Sequence, residues 1–193
     1  MVPVGSTYSL QNLAFPIIVK PGFEDGSEGI ANASIVHNEQ ELANRVTMLH
    51  DRMKQTLICE EYIEGREIYV AMTGNPRIAC YPAREVYFGD NREGPQIATA
   101  RVKFDKAYRQ KWGVEFRQAN LDPDMERRAA GIARRAFKIL QLRDYGRIDL
   151  RIRKDGTLVI LEANPNPDLT LGDEVADAAQ YAGVSYEKLI ERI

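Results

Sequence analysis

The sequence predicts an α+β fold in which helices are interspersed with strands joined by hairpins. Two features carry that expectation. Apolar residues recur at helical spacing in two stretches, at Leu42, Val46, Leu49 and Met53 and again at Ile132, Ala133, Ala136, Phe137 and Leu140. Elsewhere, short apolar runs are punctuated by turn residues, above all at Lys154-Asp155-Gly156. The 193 residues are enough for one large domain or for two small lobes sharing a core.

In chain order, Phe15 to Val19 reads as a buried strand ending in Lys20 and Pro21, followed by a loop holding Gly22, Gly26 and Gly29. Asn38 caps a helix, with Glu41 as its capping-box partner. Thr56 to Ile63 is a strand, Glu64-Gly65 breaks it, and Glu67 to Thr73 is another. Gly74-Asn75-Pro76 forms a turn before a strand from Arg77 to Ala83. From Val86 to Leu121 charges are frequent and no period is clean. That stretch reads as a long loop around Arg92 with one brief helix near Lys106 to Lys111. Asp122 and Pro123 mark the start of a helix that reaches about Leu140. Two strands then flank Asp155-Gly156, a loop of asparagines and prolines follows, and two short helices close the chain, the second capped by Ser185.

The formal net charge of −2 gives no global field for nucleic acid or an anionic membrane surface. No apolar run approaches membrane-spanning length, and the first residues lack the basic-then-apolar pattern of a signal peptide. Cys59 and Cys80 lie in apolar surroundings without metal-ligand spacing, which predicts free thiols in a reducing, cytoplasmic setting.

Chemistry concentrates in the segment GRIDLRIRKDGTLVILEANPN. A two-residue turn at Asp155-Gly156 would make Lys154 face Thr157, and would carry Asp149 opposite Glu162 and Arg147 opposite Asn164. Alternation along a strand puts these four on one face and Ile148, Leu150, Ile152, Val159, Leu161 and Ala163 on the other. Two carboxylates facing each other repel, and a divalent cation between them removes the repulsion. Carboxylates plus an amide oxygen are ligands of the kind Mg²⁺ takes. A solvated polar face with a chance pairing competes with this reading. The convergence of Asp, Glu, Asn and Arg ahead of a proline-rich loop favours a metal site.

These motifs, with FPIIVKP and its glycine loop and with LICEEYIEGREI, stand in the order and spacing of ATP-grasp enzymes. The chain resembles D-alanine–D-alanine ligases and their relatives from about Val2 to its end. The resemblance implies two lobes with antiparallel sheets and flanking helices, nucleotide between them. The smaller lobe would cover 1–64 and carry the phosphate-covering loop, and the larger would cover 65–193 and carry the metal site. It implies ATP and two Mg²⁺ ions (Mn²⁺ could substitute), with Asp149, Glu162 and Asn164 as ligands. Arg147 is implied to steady the negative charge that develops on the carbonyl under attack. Lys20 would reach the phosphates, although on its dipeptide alone a lysine pointing to water is the ordinary reading. Ser27 matches a serine of the phosphate cover. Glu60 would accept from the adenine amino group or the ribose side, backbone groups of Glu61 and Ile63 would read the adenine edge, and Glu67 would bind the ribose hydroxyls. Lys103 is aligned loosely with a second phosphate lysine.

The implied reaction joins a carboxylate to an amine: the carboxylate attacks the γ-phosphate to give an acyl phosphate, the amine attacks the acyl carbon, and phosphate leaves. Small-molecule carboxylate and amine substrates are therefore expected, with no nucleic acid or membrane partner. His37 and His50 fall in no motif. Three departures mark the acceptor side. Asp168 follows Pro167 where the family has glycine, Asp173 stands where a serine grips the acceptor carboxylate, and the paired serines of the cover are reduced to Gly26-Ser27. An acid at 173 would repel a carboxylate. The family's N-terminal domain has no counterpart in the sequence, so a fragment, a homodimer or a partner chain is expected. Two other readings stand beside this one: a different ATP-grasp chemistry, such as carboxylation or carboxylate-to-thiol ligation, and a non-catalytic nucleotide-binding module.

Overall fold

The computed structural model describes residues 1–5, 13–74, 77–89, 94 and 96–193. Of the expected Gly74-Asn75-Pro76 turn only Gly74 is described, and the loop centre around Arg92 lies outside the described residues. The elements are β1 (Ile17–Pro21), a 3₁₀ turn (Asn32–Ser34), β2 (Ile35–Val36), α1 (Glu39–Met53), β3 (Leu57–Glu61), β4 (Arg66–Thr73), β5 (Ala79–Cys80) and β6 (Arg84–Tyr87). They continue with α2 (Ala100–Phe104), α3 (Lys106–Trp112), β7 (Glu115–Gln118), α4 (Pro123–Ile139), β8 (Tyr145–Ile152), β9 (Leu158–Asn164), α5 (Glu174–Tyr181) and α6 (Tyr186–Ile190). The fold is α+β with antiparallel sheets, as the sequence predicts. Among the described residues no helix is long and apolar enough to cross a membrane.

The chain forms two compact units, Met1–Tyr62 with Phe88–Glu115, and Ile63–Tyr87 with Phe116–Ile193. In the first unit β1 lies between β2 and β3. Its core gathers Ile17, Val19, Val36 and Leu57 from the sheet with Leu42, Val46 and Leu49 from α1. Asn38 caps α1 by accepting from Glu41 N, while the Glu41 carboxylate reaches past the cap to accept from His37 N, at 2.8 Å. Residues 88–115 join this unit partly through Asn32, which donates to Gly94 O (3.0 Å) and accepts from Gln96 N (3.2 Å).

The second unit is built on the sheet β7-β6-β4-β8-β9, with β5 also paired to β4. One face carries Ile68, Val70, Met72, Ile148, Leu150 and Ile152 against Ala129, Ala133, Ala136 and Phe137 of α4. On the other face, Ala71 packs with Tyr81 and with Val175, Ala176, Ala178 and Ala179 of α5. The polar side chains of β8, Arg147, Asp149 and Arg151, are buried along with its apolar ones.

Two expectations are corrected. The Arg77–Ala83 strand shrinks to Ala79–Cys80, and the stretch read as a loop with one brief helix holds, besides that helix (α3), the end of β6, a second helix α2 and β7. Thr99 and Asp105 cap α2 and α3 by accepting from Val102 N and Tyr108 N. At five residues α2 is too short for an apolar period to register. The hairpin turn also differs. Gly156 N donates to Arg153 O and Arg153 N to Thr157 O, so the loop has three residues and only Gly156 takes positive φ, at 80°. Ile152 then pairs with Leu158 and Arg151 with Val159, one step out of the expected register, until a bulge between Asp149 and Leu150 restores it. Leu158 takes the core position, and Val159 lies opposite Arg151 on the polar face.

Candidate functional site

Beyond the bulge, Asp149 pairs with Glu162 and Arg147 with Asn164, the facings expected from the sequence. Antiparallel pairing also sets Tyr69 of β4 beside Asp149 and Glu67 beside Arg151. Alternation then gathers Glu67, Tyr69, Arg147, Asp149, Arg151, Glu162 and Asn164 on one face of three adjacent strands.

Arg147 and Asp149 form a fork-to-fork pair, with Nε donating to Oδ1 at 2.7 Å and Nη2 to Oδ2 at 2.9 Å. Arg147 Nη1 also reaches Glu174 Oε2 at the start of α5, at 3.3 Å, and its guanidinium carbon sits 5.0 Å from the centre of the Tyr69 ring. Burial works against the Arg147 charge, but the carboxylates of Asp149 and Glu174 outweigh it and raise its pKa. Burial pushes the Asp149 carboxyl up to about 7 against the pull of Arg147, and Glu162 and Glu67 push in the same direction as burial. Glu162 itself is exposed, and Asn164 Oδ1 accepts from Asn166 N at 2.9 Å.

Glu67 is engaged on both oxygens: Oε1 accepts from Tyr69 Oη at 2.9 Å, and Oε2 pairs with Arg151. Arg151 Nη1 also donates to Ile63 O at 2.8 Å. Burial, and then the carboxylates of Glu67, Asp149 and Glu174, hold the Tyr69 phenol well above its ordinary pKa. Sequence reasoning passed over Arg151, Tyr69 and Glu174. For Arg151 a signal existed, since it follows Arg147 and Asp149 in the same alternation. Tyr69 and Glu174 become visible only through pairing and packing.

The other candidates belong to the first unit. Lys20 lies inside β1 and its Nζ meets Glu60 Oε2 at 2.6 Å, so two residues assigned to different parts of a nucleotide pair with each other. Glu61 is exposed opposite Ile17. Ser27 holds positive φ (64°) in the glycine loop, where its carbonyl accepts from Ile30 N. Lys103 lies on α2, and its carbonyl accepts from Arg109 Nη1 at 2.7 Å.

Downstream, Asp173 is the N-cap residue of α5. Burial raises its pKa, and the neighbouring carboxylates of Asp168 and Glu174 raise it further. Asp168 turns the other way: hydrogen bonds from Thr170 hold its carboxyl low.

A family model described as D-ala D-ala ligase C-terminus matches residues 6–193. An uncharacterized protein, y4sG, of Sinorhizobium fredii is 34% identical over 187 residues, covering 97% of this chain and 53% of that protein. A D-alanine–D-alanine ligase of Carboxydothermus hydrogenoformans is 29% identical over 190 residues, covering 97% of this chain and 56% of the relative. The chain thus spans about half the length of the curated relatives it matches. Among solved structures, a D-alanine–D-alanine ligase of Bacillus anthracis complexed with ATP aligns over 100% of this chain and 56% of its own, with a TM-score of 0.75 and 20% identity. The VanG D-Ala:D-Ser ligase of Enterococcus faecalis aligns over 94% of this chain and 49% of its own, with a TM-score of 0.74 and 22% identity. At these identities the structures establish the fold, that of the ATP-grasp ligases.

Proposed function

Because this chain belongs to the family described as D-ala D-ala ligase C-terminus, we propose that it supplies the nucleotide and metal machinery of an ATP-dependent carboxylate–amine ligase, forming an amide or peptide bond through an acyl phosphate. The observation that carries the reading is the register that puts Asp149 opposite Glu162, with Arg147 and Asn164 as the next facing pair.

The donor set fits Mg²⁺. Two carboxylates and an amide oxygen share one face, and each Asp149 oxygen keeps a lone pair beyond the one that accepts from Arg147. Among the described residues no group of three His, Cys, Asp or Glu side chains is placed to hold a metal. Asp149, Glu162 and Asn164 would therefore leave part of the shell to phosphate oxygens of the nucleotide. A pair of ions held there, Mg²⁺ or Mn²⁺, would neutralise phosphate charge during transfer.

The side chains carry the remaining roles. Lys20 would leave Glu60 for the phosphates, freeing Glu60 to accept from the nucleoside, and Ser27 and Lys103 would lie along the phosphate cover. Glu61 and Ile63 would read the adenine edge through their backbones. Glu67, fixed by Tyr69 and Arg151, would present its remaining lone pairs to ribose hydroxyls. Arg147 is held beside Asp149 and would offer positive charge where the acyl oxygen becomes negative. Asp168 and Asp173 would repel an acceptor carboxylate presented to them, which argues against a second D-alanine as the amine substrate. A cytoplasmic setting fits the two free thiols, whose pKa values burial raises.

One observation favours the non-catalytic reading. The Arg147 guanidinium is held through all three nitrogens by Asp149 and Glu174, an arrangement that a module which only binds nucleotide would also tolerate. Calorimetry of ATP with and without Mg²⁺, on the chain and on an Asp149→Asn, Glu162→Gln double variant, tests the site. Mg²⁺-dependent binding should be lost in the variant, and equal binding in both proteins would sink the metal assignment. Phosphate release with a panel of carboxylates and amines then separates ligase from binding module.

A further inference from the structure

The first unit holds an open cavity of about 780 Å³ lined by the glycine loop, one face of α1 and the pair α2–α3. Three guanidiniums line it, those of Arg45, Arg52 and Arg101, against the carboxylates of Asp25 and Glu28. The Asp25 carboxylate is turned to its own loop, accepting from Gly26 N at 2.6 Å. Lys20 and Glu60, the pair assigned above to the nucleotide, are not among the lining residues.

Arg45 is the unusual member. It is only 7% exposed, and Nη2 donates to two neutral acceptors, Gly29 O and Ser34 Oγ, both at 2.6 Å. Its Nε is buried without a hydrogen-bond partner, and among the described residues no carboxylate pairs with it. A buried guanidinium satisfied only by neutral groups carries an uncompensated desolvation cost. Burial, and then the neighbouring Arg52, lower its pKa. Arg52 is exposed and likewise makes no ion pair among the described residues. Arg101 is weakly held: Asp105 lies 3.6 Å away, and the guanidinium carbon stands 4.3 Å over the Tyr108 ring. Beside these charges Phe104 offers an apolar wall that is 77% exposed.

We propose that this cavity is an anion site centred on Arg45, Arg52 and Arg101, which meets the residues assigned to the nucleotide only at Ser27, and that it takes a phosphate dianion either free or carried on a small organic molecule. Guanidiniums match phosphate oxygens by paired N–H donors. A phosphate there would give Arg45 and Arg52 the counter-charge they lack, and the Phe104 wall has room for an apolar body on the ester. The site touches the glycine loop through Gly29 and Ser27, so occupancy would stiffen the loop proposed to cover the triphosphate.

The test titrates inorganic phosphate and phenyl phosphate into the chain, followed by amide chemical shifts, for the parent protein and for Arg52→Gln, Arg101→Gln and Lys20→Met. Saturable binding should perturb residues 25–32 and 99–108, weaken at least tenfold in Arg52→Gln, weaken in Arg101→Gln, and persist in Lys20→Met. Arg52 and Arg101 are exposed, so their variants keep the core intact. Binding of both ligands supports a phosphomonoester site, and binding of inorganic phosphate alone supports a free-ion site. No saturable binding, binding unchanged in Arg52→Gln, or binding lost in Lys20→Met would each overturn the proposal. The last outcome would send the anion to the nucleotide residues while leaving the nucleotide reading intact.

Discussion

The cost of burying Asp149 can be measured without any ligand. Its carboxyl titrates near 7 in the fold, because burial outweighs the pull of Arg147, and near 3.9 in an unfolded chain. Between those values the folded state holds more protons than the unfolded one, so stability falls as pH rises. The contribution is therefore fully present below pH ~4 and lost as pH climbs through about 7. In urea unfolding without divalent cations, the parent chain should lose stability from Asp149 on the order of 1 kcal/mol per pH unit within that window. Asp149→Asn should remove this part of the slope. Equal slopes in the two proteins would mean that Asp149 is ionised and well solvated, contrary to its burial beside Arg147. Arg147 and Asp149 were legible because GRID names them and alternation aims them together. Arg151 was equally available to that alternation, but reading a role for it required knowing that β4 brings Glu67 alongside.

At the scale of elements, the hairpin shows how a correct facing can arise from an incorrect turn. Asp155-Gly156 suggested a two-residue loop, yet Asp155 is not among the residues with positive φ and the loop closes over three. The added residue shifts the register by one, the bulge shifts it back, and Asp149 meets Glu162 after all. Bulges leave little trace in sequence, so the pairing was legible and its route was not. The same limit hid β6, α2 and β7, whose few residues cannot show a period, whereas the capped helices α1 and α4 announced themselves through Asn38 and Asp122-Pro123. The break at Glu64-Gly65 was read from glycine alone, and the structure gives it a reason. At φ 143°, a Cβ on Gly65 would stand 1.9 Å from Ile152 O. Gly65→Ala should destabilise the second unit by about 3 kcal/mol, since backbone on both sides must move; a chemical-denaturation change below the error of the method would refute that. The Asp168–Asp173 loop makes a prediction about substrates. Under the ligase reading, Asp173→Ser removes a charge that repels an acceptor carboxylate. Turnover with amino acids relative to amines lacking a carboxylate should then rise about tenfold, the equivalent of ~1.4 kcal/mol. An unchanged ratio would place the acceptor elsewhere.

For the molecule as a whole, the relevant fact is that its length matches about half of its curated relatives, so binding by this chain has to be established separately from ligation. Linkage offers a readout that needs no substrate pair. A ligand that binds only the folded state stabilises it by ~2.7 kcal/mol at a concentration ~100-fold above its Kd. For a protein of this size each kcal/mol raises the midpoint by roughly 2–4 °C, so Mg-ATP should raise it by roughly 5–10 °C. The increase should shrink when EDTA replaces Mg²⁺, because Asp149, Glu162 and Asn164 would then hold nothing that neutralises the triphosphate. It should also shrink in the Asp149→Asn, Glu162→Gln variant, compared at the same nucleotide concentration. If the variant gains as much as the parent, the carboxylates do not hold a metal for the nucleotide, and their facing reflects packing of the Arg147 clamp alone. If the parent gains nothing, the side chains gathered in this chain do not bind ATP by themselves, and the family's nucleotide chemistry is not exercised by these residues in isolation.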